Sequence, residues 1–172
     1  MTASSVRKLA LIVLGFAVAA CEALEPAERA TIDAWLGCTE CNEHELDSVL
    51  ALAGRKHEPT VTALRDGLLE GPTSVQRQNA GRQLDTLYDR VAVAGAPMMP
   101  INPRAEFVRH YLDNIVATYR VRSAVALAHI GGADVKPALD SAAANQLRIP
   151  SDTLRPADLD AVAFARDSIW QP

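Results

Sequence analysis

Apolar residues recur at three- and four-residue steps along most of the chain, and no stretch shows a sustained alternation of period two. The first spacing places apolar side chains on one face of a helix, whereas the second is typical of a half-buried strand. Proline, glycine and capping residues separate the periodic stretches, as expected at helix ends. The pattern therefore predicts an all-α protein built from antiparallel helical hairpins, with about six to seven helices and almost no sheet.

Helix boundaries in the first half follow from these separating residues. Proline fits the first turn of a helix, where its missing donor costs nothing, and glycine commonly follows the last turn. The fourth helix places Leu84, Leu87 and Tyr88 on one inward face. Four helices are predicted in this half. The first runs from Pro26 to about Gly37, the second begins after a cap at Asn42, and the third runs from Pro59 to Gly71-Pro72. The fourth runs from a Thr73 and Gln76 capping box to about Val93.

A fifth helix follows the irregular segment 94–102, with Asn102 as its cap and Pro103 at its first position. Apolar residues, including Leu112 and Ile115, occur on more than one face of this helix as far as Tyr119. A helix with this distribution is usually packed between neighbours. We therefore expect it to be the central element of the second half, with its middle fully buried.

A tight helical hairpin is predicted between Tyr119 and Ala142. The first helix of the hairpin consists of small and branched apolar residues and ends at Gly131-Gly132. Asp134 is a candidate cap for the returning helix. After an irregular segment, Pro156 begins a last helix.

The hairpin has a weaker copy earlier in the chain. An offset of 75 residues places the LALA segment at 50–53 on the VALA segment at 125–128, and Ala63-Leu64 on Ala138-Leu139. With these residues, segment 121–139 resembles a bacterial HEAT repeat, and segment 46–69 resembles a degenerate copy. The resemblance implies a right-handed HEAT-like stack and a binding or scaffolding surface without catalytic residues. Chance similarity among alanine-rich helices is the alternative.

The N-terminal residues have the pattern of a secretory signal. Arg7 and Lys8 are basic, residues 9–18 are uncharged and apolar, and small residues precede Cys21. The apolar run is too short to cross a bilayer as a stable helix. Residues 18–21, Val-Ala-Ala-Cys, resemble the bacterial lipobox, which implies that Cys21 receives a diacylglycerol and becomes the first mature residue. An ordinary cleaved signal beside an incidental cysteine is the alternative.

These signals divide the chain into residues 1–20 as a signal peptide, residues 21–25 as a lipidated tether and residues 26–172 as a single α-helical HEAT-like domain. About 150 residues suffice for one domain with a proper core. We therefore expect an exported protein anchored on a membrane of the cell envelope. Glu22 in place of aspartate resembles the pattern of lipoproteins sent to an outer membrane, which implies the periplasmic side of that membrane in a Gram-negative source.

The charge balance argues against a nucleic-acid-binding surface. The chain has 17 basic and 21 acidic residues, and residues 1–20 contain two of the basic ones, so the mature part has a net charge of −6. Proteins that neutralise phosphates need a clustered positive field. Arg120 and Arg122 are interpreted as two solvated arginines on a helix edge.

Cys38 and Cys41 form the constellation with the most chemical potential. In an oxidising compartment this spacing permits a structural disulfide, and a cysteine at a helix start can instead be a redox-active thiolate. Thioredoxin-like use requires a preceding strand, and here a helix precedes the pair. A zinc site would need four ligands; Cys38, Cys41 and His44 supply three, and His57 lies at the far end of the second helix. The disulfide is the preferred interpretation.

No other pattern indicates catalysis or a cofactor. The sequence has no nucleophile elbow and no glycine-rich phosphate loop, and His110 and His129 are interpreted as boundary residues. We therefore expect a membrane-anchored module that binds another protein or a peptide, with no catalysis, no cofactor, no metal and no nucleic acid. The alternative is a periplasmic thiol-disulfide oxidoreductase that uses Cys38 and Cys41.

Overall fold

The computed structural model describes residues 23–38, 43–93 and 102–169. No strand occurs in these ranges, which confirms the prediction of an all-α protein. The signal segment, Cys21 and Cys41 lie outside the described residues. The described helices are α1 (Pro26–Gly37), α2 (Glu43–Arg55), α3 (His57–Leu69), α4 (Ser74–Val93), α5 (Arg104–Ile130), α6 (Lys136–Ala143) and α7 (Pro156–Asp167), with a short 3-10 turn at Pro150–Asp152.

Helix α5 is the central element of the described fold. It is 27 residues long, and α1, α2, α3, α4 and α7 all pack against it. The sequence analysis predicts two helices here, separated near Tyr119, and that prediction is wrong. The chain passes through Tyr119 and Arg120 as one helix. Residues 104–130 contain neither proline nor glycine, so nothing in the local sequence ends the helix earlier.

The turn after α5 differs in part from the expected hairpin. Gly131 and Gly132 have positive φ angles of 70° and 96°, which glycine adopts at little cost, and α5 ends there. Asp134 does not cap α6, because the N-cap is Val135 and it makes no side-chain cap bond. Helix α6 packs chiefly against α7 and α3. A stack of helical hairpins is compatible with this arrangement, and the HEAT relationship itself stays a prediction.

Capping chemistry explains the start of α4. The Thr73 backbone N–H donates to Gln76 Oε1 at 2.8 Å, and the Gln76 N–H donates to Thr73 Oγ1 at 3.3 Å, which confirms the predicted capping box. Two other predicted starts are displaced by one or two residues. Helix α3 begins at His57 instead of Pro59, and Pro103 is the N-cap of α5 instead of its first helical residue.

The core surrounds the second half of α5. Leu127 of α5 and Leu64 of α3 have no exposed surface, and both belong to one continuous apolar cluster. Leu112 and Ile115, in the first half of α5, are only half-buried. The expectation that the middle of the predicted fifth helix is fully buried is therefore wrong. Leu112 lines an open cleft between α4, α5 and the start of α7 instead.

A glycine allows α3 to approach α5 closely. A Cβ atom added at Gly67 would lie 2.6 Å from Ser123 Oγ and 3.3 Å from a ring carbon of Tyr119. The Ser123 hydroxyl donates to the Tyr119 carbonyl oxygen at 3.0 Å, which holds the oxygen in that position. The contact between the two helices therefore depends on the small size of both Gly67 and Ser123.

We expect Gly67→Ala to lower the free energy of unfolding by about 1 kcal/mol, because crowding costs about 1–3 kcal/mol and exceeds the gain of up to about 1 kcal/mol in helix propensity. In a Ser123→Ala background the crowded oxygen is absent, so the same substitution should be neutral or stabilising. Urea unfolding of the four proteins measures this coupling. Equal effects of Gly67→Ala in the two backgrounds would refute the close contact.

Candidate functional site

Arg120 is buried in α5 and has no exposed surface. Its Nη2 donates to the Glu70 carbonyl oxygen at 3.1 Å and to Asp152 Oδ2 at 3.2 Å. Burial lowers the pKa of the Arg120 guanidinium, yet an arginine in a protein keeps its proton. The interpretation of Arg120 as a solvated residue is wrong, because the end of α3 and the turn before α7 cover it.

Asp152 forms ion pairs with two arginines, Arg77 and Arg120. Arg77 Nη2 lies 2.5 Å from Asp152 Oδ2 and also donates to the Glu70 carbonyl oxygen at 3.0 Å. The last carbonyl groups of α3 carry the negative end of the helix dipole, so they help to stabilise both cations. We call Arg77, Arg120 and Asp152 the α3 clamp, because together they join the end of α3 to α4, α5 and the turn before α7.

Arg122 is also tied to the protein. Its Nη1 donates to the carbonyl oxygens of Trp35 at 3.3 Å and of Leu36 at 3.4 Å, and to that of Cys38. In return, Trp35 Nε1 donates to the Arg122 carbonyl oxygen at 3.2 Å. Arg122 therefore satisfies the C-terminal carbonyl groups of α1, and its interpretation as a solvated residue is wrong.

A cleft of about 220 Å³ opens beside the α3 clamp. Leu112, Val116 and Leu154 supply apolar lining, and Asp113 and Arg155 supply charged lining. Pockets for drug-sized ligands usually occupy about 300–1,000 Å³. This cleft is therefore better matched to a side chain of a bound peptide than to a whole cofactor.

An aromatic cluster lies where α4 meets the first part of α5. The Phe107 ring centroid is 5.3 Å from that of Tyr88 and 4.5 Å from that of Tyr111, and the Arg104 guanidinium lies 4.8 Å from the Tyr88 ring centroid. We call these four residues the aromatic ridge. Tyr111 is 44% exposed, and neighbouring Leu87 is 42% exposed, so the prediction that Leu87 faces inward is wrong.

The other end of α5 borders a second surface, with an exposed phenylalanine. Phe164 of α7 is 74% exposed and lines a shallow cleft of about 210 Å³ with Ala128 and His129 of α5. His129 also lines a neighbouring cleft of about 260 Å³ with His57. We call the surface formed by these two clefts the α5–α7 groove. At 1.5 Å per residue, His129 and Tyr111 are about 27 Å apart along α5, so groove and ridge lie at opposite ends.

Cys38 is the C-cap residue of α1, and its Sγ lies 3.2 Å from the Trp35 carbonyl oxygen. Cys41 lies outside the described residues. The disulfide and the redox pair therefore both stay predictions.

His44 and His57 do not converge on one site. His44 is near the start of α2 and His57 follows its end, so the two are about 20 Å apart at 1.5 Å per helical residue. His57 Nε2 instead lies 3.2 Å from Asp134 Oδ2. In residues 23–38, 43–93 and 102–169, no group of three or more histidine, cysteine, aspartate and glutamate side chains could hold a metal ion.

Sequence reasoning missed the α3 clamp, the aromatic ridge and Phe164. For Phe164 a signal is present in the sequence. It follows Val162, which is buried, by two positions and so lies off the apolar stripe of α7.

Comparisons of the chain with protein-family models, with curated proteins and with solved structures find no match. Among the described helices, none combines the length and the apolar character that crossing a membrane requires.

Proposed function

We propose that the protein is an envelope lipoprotein, anchored through Cys21, that binds another protein or a peptide through the aromatic ridge and the cleft beside the α3 clamp. The observation that carries the proposal is Tyr111, which is 44% exposed while its ring packs 4.5 Å from that of Phe107. Tyrosine and arginine are enriched at protein interfaces and among the residues whose truncation weakens binding most. The ridge offers both in one small area.

The neighbouring cleft adds polar recognition. Leu112 follows Tyr111 in α5 and lines the cleft, so ridge and cleft adjoin each other. Asp113 and Arg155 can bond to a peptide, while Leu112 and Val116 can contact an apolar side chain. Stacked helices suit extended protein surfaces. The proposal includes no catalytic residue and no cofactor.

Replacing Cys21 with serine is expected to release the protein from membranes into the soluble envelope fraction. Each buried methylene of an acyl chain contributes about 0.8 kcal/mol, so the lipid supplies most of the membrane affinity. Fractionation after a high-salt wash measures the release, and a Cys38→Ser variant is the control that should stay in the membrane pellet. If Cys21→Ser stays in the pellet as well, the lipid anchor is wrong.

Replacing Tyr111 with serine is expected to weaken partner binding by about thirtyfold, which corresponds to the roughly 2 kcal/mol typical of a central interface residue. Amine-reactive crosslinking of envelope fractions detects the complex, and titration with the recovered partner gives the dissociation constant. Val75→Ser is the matched control, because Val75 is 63% exposed on α4 and outside the ridge.

The same assay separates binding from thiol chemistry. A mature form with Cys38→Ala and Cys41→Ala should keep the crosslinked product, because neither cysteine belongs to the ridge. Equal binding by Tyr111→Ser and by the unmodified protein would reject the ridge as the binding site. An insulin-reduction activity that disappears with the two cysteines, while binding is untouched, would favour the oxidoreductase alternative.

A further inference from the structure

We propose that the end of the bundle with the α5–α7 groove rests on the lipid surface, with the Phe164 side chain in the membrane interface. This inference rests on the proposed acylation of Cys21. The inference adds a defined orientation of the protein on the membrane. An acyl anchor on a flexible tether would not by itself impose such an orientation. It also assigns an occupant, phospholipid, to an apolar surface that the binding proposal does not use.

The described chain begins at the same end of the bundle as the groove. Ala23 and Leu24 line a cleft with Glu58 and Pro59 at the start of α3. His57, the first residue of α3, lines the α5–α7 groove. The groove therefore continues from the start of α3, where the first described residues lie, across the end of α5 to Phe164.

The tether is too short to keep this end away from the membrane. Cys21 precedes Ala23 by two residues, and an extended residue spans at most about 3.6 Å, so an acylated Cys21 would lie within about 7 Å of Ala23. Leu24 packs against the core, so the chain is already fixed to the bundle one residue later. A lipid on Cys21 therefore draws the groove end, and not the ridge end, to the bilayer.

Phe164 has the chemistry that a membrane interface requires. Its side chain is 74% exposed and borders a cleft lined by Val125, Ala128 and Ala165, so an apolar surface continues around it. Aromatic and aliphatic side chains of this kind insert into the boundary between headgroups and acyl chains. A single phenylalanine binds weakly by itself. It therefore orients a protein that the acyl chain already holds.

The charges at this end favour a neutral lipid surface. Three basic residues at this end form ion pairs with acidic residues, so these three supply no excess of positive charge that would select anionic lipid. We therefore expect the contact to be independent of anionic lipid and of ionic strength. The pairs are Lys56 with Glu28 at 2.9 Å, Lys136 with Asp140 at 2.6 Å, and Arg166 with Asp167 at 2.7 Å.

Hydroxyl-radical footprinting of the lipidated chain in phosphatidylcholine vesicles tests the orientation. The reference is the Cys21→Ser form in solution, and intact mass is measured first to establish that Cys21 carries its acyl group. We expect several-fold lower oxidation of Phe164 in the vesicle-bound chain. Tyr111 is the internal control, because it is also exposed but lies at the far end of α5, and its oxidation should not change. The difference should persist in 1 M salt.

Each other outcome overturns the proposal for a distinguishable reason. Equal oxidation of Phe164 in the two forms, with acylation established by mass, removes the membrane contact and leaves the anchor intact. Protection of Phe164 in the soluble form that increases with protein concentration would identify a second copy of the chain as the occupant. A mass without an acyl group would reject the anchor itself, and with it the proposed orientation.

Discussion

Replacing Asp152 with alanine is expected to lower the free energy of unfolding by about 3 kcal/mol, the scale seen when one partner of a buried ion pair is removed. Arg120 has no exposed surface, and its Nη2 lies 3.2 Å from Asp152 Oδ2. Without the carboxylate, two guanidinium groups would face each other with only carbonyl oxygens as acceptors. Chemical denaturation of the purified mature protein measures the loss.

Two further variants test whether the loss of stability in Asp152→Ala comes from an unpaired buried charge. Asp85→Ala removes an exposed partner of Arg104 and should change the stability by less than about 1 kcal/mol. The double variant Arg120→Met with Asp152→Ala should be more stable than Asp152→Ala alone, because it removes the completely buried charge and leaves only Arg77, which is partly exposed, without its carboxylate. An Asp152→Ala protein as stable as the Asp85→Ala protein would show that the α3 clamp is not a buried ion pair.

Leu127→Ala is expected to cost about 3–5 kcal/mol, because Leu127 is completely buried and its neighbours can fill the cavity only in part. Leu112→Ala is the matched variant on the same helix, and it should cost less than about 2 kcal/mol, since Leu112 is half-buried beside an open cleft. Thermal or urea unfolding compares the two. A larger loss for Leu112→Ala would place the core in the first half of α5.

Helix positions could be predicted from the sequence because the signals that fix them are local. Periodicity, the proline that begins α1 and the Thr73 and Gln76 capping box each involve neighbouring residues. The continuity of α5 could have been predicted as well, because residues 104–130 contain no helix breaker. The prediction of two separate helices near Tyr119 followed from the resemblance to a repeat. That resemblance concerns segments of the chain and contains no information about how the segments are joined.

The buried arginines could not be predicted in the same way. The partners of Arg120 lie 50 and 32 residues away along the chain, at the end of α3 and in the turn before α7. Nothing in the spacing of Arg120 and Arg122 shows that other helices cover them. Two arginines on one helix are usually solvated, so the interpretation followed the more frequent case.

The candidate surfaces depend on which helices meet. Phe107 and Leu112 are both apolar residues of the first half of α5, yet the first packs in the aromatic ridge and the second lines a cleft. Their surroundings are determined by α4 and by the turn before α7, and periodicity contains no information about these contacts. Cys21, by contrast, was identified from a local pattern that the described residues do not include.

Site-specific photo-crosslinking in intact envelopes tests the central claim most directly. A photoreactive amino acid is placed at position 111 in one form of the anchored protein and at position 164 in another. We predict that position 111 forms adducts with a protein and that position 164 forms adducts with phospholipid. Protein adducts at position 164, together with none at position 111, would contradict a membrane-anchored module that binds its partner through the aromatic ridge.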